Sequence, residues 1–222
     1  MEAEFWQKKW RNDQIGFHLD EQHPYLLKYW DQLGLEGSGR VFVPLCGKSN
    51  DMAWLRAQGH ELLGIEFSPI AIDSFCKQIG GEFIADQVGV LNRYTGQGYS
   101  LLVGDYFALD RNIVGAVAGL YDRASLIALP ETMRADYVTL QRELLPIGAQ
   151  ILLITIEYDQ SEMSGPPFSI GASVVNSLYA DWCDIELLES SSEVVESPNK
   201  SVDIIEYCYR LRVRSVAAMD GG

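Results

Sequence analysis

Apolar positions along the chain alternate between two periods. Helical spacing marks about Ala3–Asn12 and about Pro24–Leu35, the second opened by a proline and closed by "GLEGSG". "RVFVPL" then reads as a buried strand, and about Asn50–Gln58 as a helix with Gly59 as its C-cap. "ELLGIEF" is the next strand, and "SPIAIDSFCKQIG" a helix with Ser68 at the N-cap and Pro69 in the first turn. After a less regular middle, "YSLLVGDYF" and "AVAGLYDRASL" read as strands, "PETMRADYVTLQRELL" as a helix and "AQILLITIEYD" as the most apolar strand. A Gly/Pro loop, "SEMSGPPFSIG", precedes a helix over about Ala172–Trp182. Two strands, "DIELLESS" and "VDIIEYCYRLRV", close the pattern, with "VVESPNK" as the turn between them.

Strand–helix alternation ending in an antiparallel pair predicts an α/β fold. The expected architecture is a doubly wound, mostly parallel, seven-stranded sheet with helices on both faces and a terminal antiparallel hairpin. One domain is expected over 1–222. Its Rossmann-like core spans 40–215, and the N-terminal helices, 1–35, form a flap over the active site.

Composition narrows the function. The formal charge of −14 argues against a nucleic-acid partner, which needs a basic surface. No apolar run approaches the roughly 18 residues of a membrane span, and the N-terminus carries no apolar signal core. Cys46, Cys76, Cys183 and Cys208 are scattered, as are His18, His23 and His60, so reduced thiols, a cytoplasmic location and no metal site are expected.

"CGKS" at 46–49 looks like the end of a phosphate loop, but the glycine required five residues before Gly47 is Phe42, inside the strand. G-x-G-x-x-G is also absent. The turn is better read together with Glu66, which ends the second strand about 20 residues later. In a doubly wound sheet both lie at the carboxyl edge, where a carboxylate accepts from both hydroxyls of a ribose and Gly47 lets backbone approach a ligand. Asp105 ends the next strand and can take an adenine amino hydrogen, with Tyr106 or Phe107 stacking on the ring. Asp122-Arg123 ends the fourth, where a buried Asp–Arg pair is as often structural as functional. These strand ends favour an adenosine-type ligand without a pyrophosphate.

The segments "FWQKKWRNDQIGFH", "VFVPLCGKSNDMAWL", "GIEFS", "YDRASLIAL" and "GPPF" resemble the thiopurine S-methyltransferase family, within the class I S-adenosylmethionine-dependent fold. The resemblance implies S-adenosyl-L-methionine as cofactor, held by Trp10, Leu45, Glu66 and Arg123, with Asp105 and Tyr106 on the adenine side. It implies Phe17 on the substrate side, and loop position adds Phe168 of "GPPF" as a second apolar wall. Trp10 is expected to face the sulfonium from the flap. The partner is a small-molecule thiol, methylated by direct displacement, and Arg123 orients it. No general base is expected, because aromatic thiols ionise by themselves and the histidines lie away from these strand ends. Selenium or tellurium species, in detoxification, are the alternative acceptors, and a non-catalytic nucleoside-cofactor-binding module is the alternative to an enzyme. A monomer is expected.

Overall fold

The structure, a computed structural model, describes residues 3–35, 39–197 and 200–215. Among them the strands are β1 (Val41–Val43), β2 (Leu62–Glu66), β3 (Ile84–Val88), β4 (Leu91–Gly96), β5 (Tyr99–Val103), β6 (Gly119–Arg123), β7 (Gln150–Glu157), β8 (Cys183–Ser197) and β9 (Lys200–Val213). The helices are α1 (Ala3–Arg11), α2 (Pro24–Tyr29), α3 (Asn50–Ala57), α4 (Pro69–Ile79), α5 (Arg111–Val114), α6 (Glu131–Leu144) and α7 (Ala172–Tyr179). The nine strands form one sheet in the order β3-β4-β5-β2-β1-β6-β7-β9-β8. Five of them, β5 to β7 across the middle, run parallel, and β9 returns antiparallel to β7.

Side-chain alternation in the central strands builds a core on each face. Val41, Val43, Leu152 and Ile154 pack under Leu26, Met52, Leu55 and Phe75 of α2, α3 and α4. Phe42, Leu120, Ile151 and Leu153 pack under Tyr137, Val138, Val175 and Tyr179 of α6 and α7. Because β1 has β2 on one side and β6 on the other, the chain leaves it in both directions. That switch point opens a crevice above the carboxyl ends of β1, β2 and β6.

Four expectations change. The sheet has nine strands rather than seven, because the irregular middle is a hairpin, β3–β4, closed by Gly89 in the left-handed region at φ 58°. Four of the five β3 residues are exposed, so no apolar face signalled the strand. The second is "VVESPNK", expected as a long turn. Val194 and Val195 instead continue β8, paired with Asp203 and Val202 of β9. The helix expected at Ala172–Trp182 ends at Tyr179, and that at Pro24–Leu35 becomes α2 followed by a 3₁₀ turn, Trp30–Leu33.

Candidate active site

A cavity of about 500 Å³ lies at the switch point. Its floor comes from strand ends, with Leu45 and Gly47 after β1, Glu66 at the end of β2, and Arg123 and Ala124 at the end of β6. Ile154, Ile156 and Glu206 wall it on the β7–β9 side, and its roof is N-terminal, including Trp6, Trp10, Phe17, His18 and His23.

The floor is held in strained backbone. Leu45 (φ 44°) and Ala124 (φ 59°) both occupy the left-handed region, which costs a non-glycine residue roughly 1–2 kcal/mol. The Ser125 hydroxyl donates to the Pro44 carbonyl at 2.7 Å and ties the two turns together. At Gly47 (φ 54°) an added Cβ would meet the Trp10 ring at 3.2 Å, so only glycine lets the aromatic roof approach this closely.

Glu66 is buried, and both its carboxylate oxygens accept backbone donors. Oε2 accepts the Gly47 N–H at 2.9 Å and Oε1 the Ser68 N–H at 2.8 Å. Burial raises its pKa against the pull of these bonds. A carboxylate has about four lone-pair sites, so two remain for a ligand hydroxyl pair.

Asp122 and Arg123 point to opposite faces and are not a pair. Asp122 is buried on the α6 side, accepting from the Leu126 N–H, the Tyr137 hydroxyl and the Gln141 amide, and burial raises its pKa. Arg123 turns into the cavity. It donates to the Phe17 carbonyl at 2.9 Å and lies 3.8 Å from the Asp51 carboxylate. Asp51 also accepts the Tyr121 hydroxyl at 2.9 Å and the His23 N–H at 2.8 Å. Asn50 donates to the Leu19 and Asp20 carbonyls at 2.9 Å. The first turn of α3 therefore pins the segment that leads down from the roof. Sequence reading missed Asn50 and Asp51, since polar residues after the Ser49 N-cap look like ordinary helix capping.

The roof is an aromatic cluster. Phe17 meets Trp6 and Trp10 edge to face, at centroid distances of 5.6 and 5.7 Å, and Trp10 is buried. Such pairs contribute roughly 0.5–1.5 kcal/mol each beyond their buried area.

Three expected site residues lie elsewhere. Tyr106 is a core residue, stacked on Phe42 and tilted against Tyr137, with its hydroxyl donating to the Tyr137 carbonyl. Asp105 is exposed and caps the following turn through the Phe107 N–H. Phe168 packs against the Arg134 guanidinium, and its neighbours Pro166 and Pro167 line the cavity instead. Conversely, His18 and His23, expected away from the site, are on its wall. Burial, with Lys48 and Arg123 nearby, lowers the His18 pKa, although Asp20 and Asp51 pull the other way. Lys48 is half-buried at the cavity. His60 stays remote, accepting from the Trp30 indole.

Among the described residues no cluster of His, Cys, Asp or Glu is placed to hold a metal. No helix there is long and apolar enough to cross a membrane.

Comparison with known proteins places this geometry in a family. The family model described as thiopurine S-methyltransferase matches residues 1–213. The thiopurine S-methyltransferase of Shewanella amazonensis is 43% identical, over 89% of this chain and 91% of its own. That of Pseudomonas putida is also 43% identical, over 95% of this chain and 99% of its own. Among solved structures, an S-adenosylmethionine-dependent methyltransferase from Anabaena variabilis superposes with a TM-score of 0.64 at 12% identity, covering 96% of this chain and 95% of that one. The N-methyltransferase NodS of Bradyrhizobium japonicum, in complex with S-adenosyl-L-homocysteine, gives 0.62 at 14%, covering 96% and 98%. At such identities the likeness is one of fold. On the family match and the identity to its relatives, the chain belongs to the thiopurine S-methyltransferase family and is an S-adenosylmethionine-dependent methyltransferase.

Proposed function

We propose that the enzyme methylates the sulfur of aromatic or heterocyclic thiols, thiopurines among them. The observation that carries this reading is the composition of the cavity away from Glu66. Phe17, Ile154, Ile156, Pro166 and Pro167 offer flat apolar walls, and Arg123 is the strand-end cation beside them. That combination suits a planar ring bearing a thiolate. The names of the relatives point to the same acceptor class.

The residues fit the methyl donor. The free lone pairs of Glu66 match a ribose diol, and the turn of Leu45 and Gly47 gives backbone close approach. Trp10 offers an aromatic ring to a cation, an attraction of about 0.5–2 kcal/mol that grows as water is excluded. When bound, S-adenosylmethionine supplies an electrophilic methyl group on its sulfonium.

Arg123 favours the ionised acceptor and orients it, and the aromatic roof keeps water out. Opposite charges meet and cancel as the thiolate attacks, so a dry site favours the reaction over the separated ions. Aromatic thiols are acidic enough to reach the site as thiolates, and positioning then supplies most of the acceleration. Asp105 and Tyr106 take no part in this reading, because neither reaches the cavity wall.

The test is transfer of labelled methyl to a panel of thiopurines, carbocyclic aromatic thiols, selenite and tellurite. Turnover of the thiols is expected. Turnover of the oxyanions alone would overturn the proposed acceptor class.

A further inference from the structure

The wall above β7 and β9 carries a polar pair that the chemistry above leaves unused. Glu206 stands opposite Ile156 in the β7–β9 ladder, and both side chains reach the cavity. Its Oε1 lies 3.2 Å from Nε2 of His23. The other ring nitrogen, Nδ1, accepts the Tyr25 N–H at 3.2 Å. That bond fixes the tautomer: in the neutral ring the proton is on Nε2 and is donated to Glu206. His23 cannot swing away, because Asp51 holds its backbone N–H at 2.8 Å and its side chain is only 7% exposed.

The carboxylate is thus oriented from one side. Its second oxygen has no hydrogen-bond partner among the described residues, and the side chain is 28% exposed. The apolar walls around it offer no donor. A ligand that brings a hydrogen-bond donor to this oxygen gains a charge-assisted bond, and one that brings a lone pair meets repulsion.

The position of the pair gives the donor's place on the ligand. Arg123 ends β6, and Glu206 lies on β9, with β7 between them. At about 4.8 Å per strand, and with Glu206 opposite Ile156 rather than Ile154, the register partner of Arg123, the two backbones are about 12 Å apart. Ile154 and Ile156 lie in the gap. A planar bicycle resting on these isoleucines, with its sulfur toward Arg123, places its far edge at Glu206.

Resting on the S-methylation reading, we propose that Glu206, positioned by His23, selects acceptors with a ring N–H on the edge remote from the reacting sulfur. The favoured substrates are N–H heteroaromatic thiols of the fused-ring type, over carbocyclic or sulfur-heterocyclic thiols of the same size. Glu206 is a specificity-determining residue, and no proton transfer to it is required.

Two acceptors isolate the contact. Indole-5-thiol and 1-benzothiophene-5-thiol share shape and thiol position, but only the first has a ring N–H. A site built around that donor rejects the analogue that lacks it, because the second carboxylate oxygen then gains no donor from the ligand. The wild-type enzyme is expected to favour the indole by tenfold or more in kcat/KM. Glu206→Gln is the informative variant. The Nε2 proton of His23 recruits the amide oxygen, so the amide NH₂ faces the cavity and opposes a ligand N–H. The ratio of the two kcat/KM values should therefore fall at least tenfold in E206Q. Affinity for S-adenosylhomocysteine, measured by calorimetry, should stay within about threefold and so report an intact fold.

An unchanged ratio in a folded E206Q would overturn the proposal. Equal slowing of both thiols, with weakened S-adenosylhomocysteine binding, would do so too, by reducing Glu206 to a prop for His23. If the wild type methylates neither thiol, the S-methylation reading itself fails. If it methylates both with equal efficiency, only the role of Glu206 fails.

Discussion

Replacing Glu66 by Gln tests the cofactor half of the site with the least change of shape. In the native protein Glu66 accepts from Gly47 at 2.9 Å and from Ser68 at 2.8 Å, one bond to each oxygen. A glutamine has one oxygen and one NH₂. Whichever way it turns, the NH₂ faces a backbone donor, so one of the two bonds is lost. Hydrogen bonds to a charged group are worth about 1.5–3 kcal/mol. Against that loss stands relief from burying a charge, the effect that raises the Glu66 pKa. The two oppose each other, and the stability of the unliganded protein at neutral pH should change little. Ligand binding has no such compensation. Loss of the charged acceptor for a ribose hydroxyl should weaken S-adenosylhomocysteine by about 1.5–3 kcal/mol, or roughly 10- to 150-fold. Thermal melts show the same effect through mass action. At a ligand concentration of 1,000 Kd the wild type gains about 4.1 kcal/mol, and a hundredfold loss of affinity cuts that to about 1.4 kcal/mol.

The pH dependence has a definite sign. The folded carboxyl has a raised pKa, so its stability contribution is fully present below the ordinary glutamate value, about 4.5, and is lost as pH rises through the folded value. E66Q should lack that decline. Ribose hydroxyls favour the ionised form, so wild-type affinity should fall as pH drops through the same window while E66Q stays flat. A folded E66Q with wild-type affinity would remove Glu66 from the ribose and with it the proposed seating of the methyl donor.

Further outcomes follow from the floor and the roof of the cavity. Arg123→Lys keeps the charge but cannot reach the Phe17 carbonyl and the Asp51 carboxylate with one planar group. A fall in kcat of roughly 10- to 100-fold is expected for the loss of about 1.4–2.7 kcal/mol of positioning, with the fold intact by circular dichroism; wild-type kcat would refute it. Cofactor binding should alter tryptophan fluorescence, with part of the change lost in Trp10→Phe. Removing residues up to Asp13 should raise KM and lower kcat together, and unchanged kinetics would rule out the flap.

Periodicity and chain-local chemistry made part of the fold and of the site legible from the residues alone. The parallel core was legible because strands buried on both faces, such as "AQILLITIEYD", are continuously apolar. Glu66 was legible because its distance from the β1 turn follows from one strand–helix–strand unit. The hairpin β3–β4 was not, since an edge strand exposed on both faces has no pattern to read. Tyr106 illustrates the same limit at a single residue. A tyrosine after a strand-end acid suits a stacking role or a core role equally, and only the packing of Phe42 and Tyr137 around it decides for the core.

Contacts between distant segments belonged wholly to the tertiary structure. Asp51 meets His23 and Tyr121 across 28 and 70 residues, and Glu206 meets His23 across 183. No local spacing records such meetings. They arise because β9 returns antiparallel beside β7 and carries Glu206 to the end of the sheet where α2 begins. The chain's local patterns set which residues lie in strands and helices. The order in which those strands assemble decides which side chains share a cavity, because that order brings together positions the sequence keeps apart.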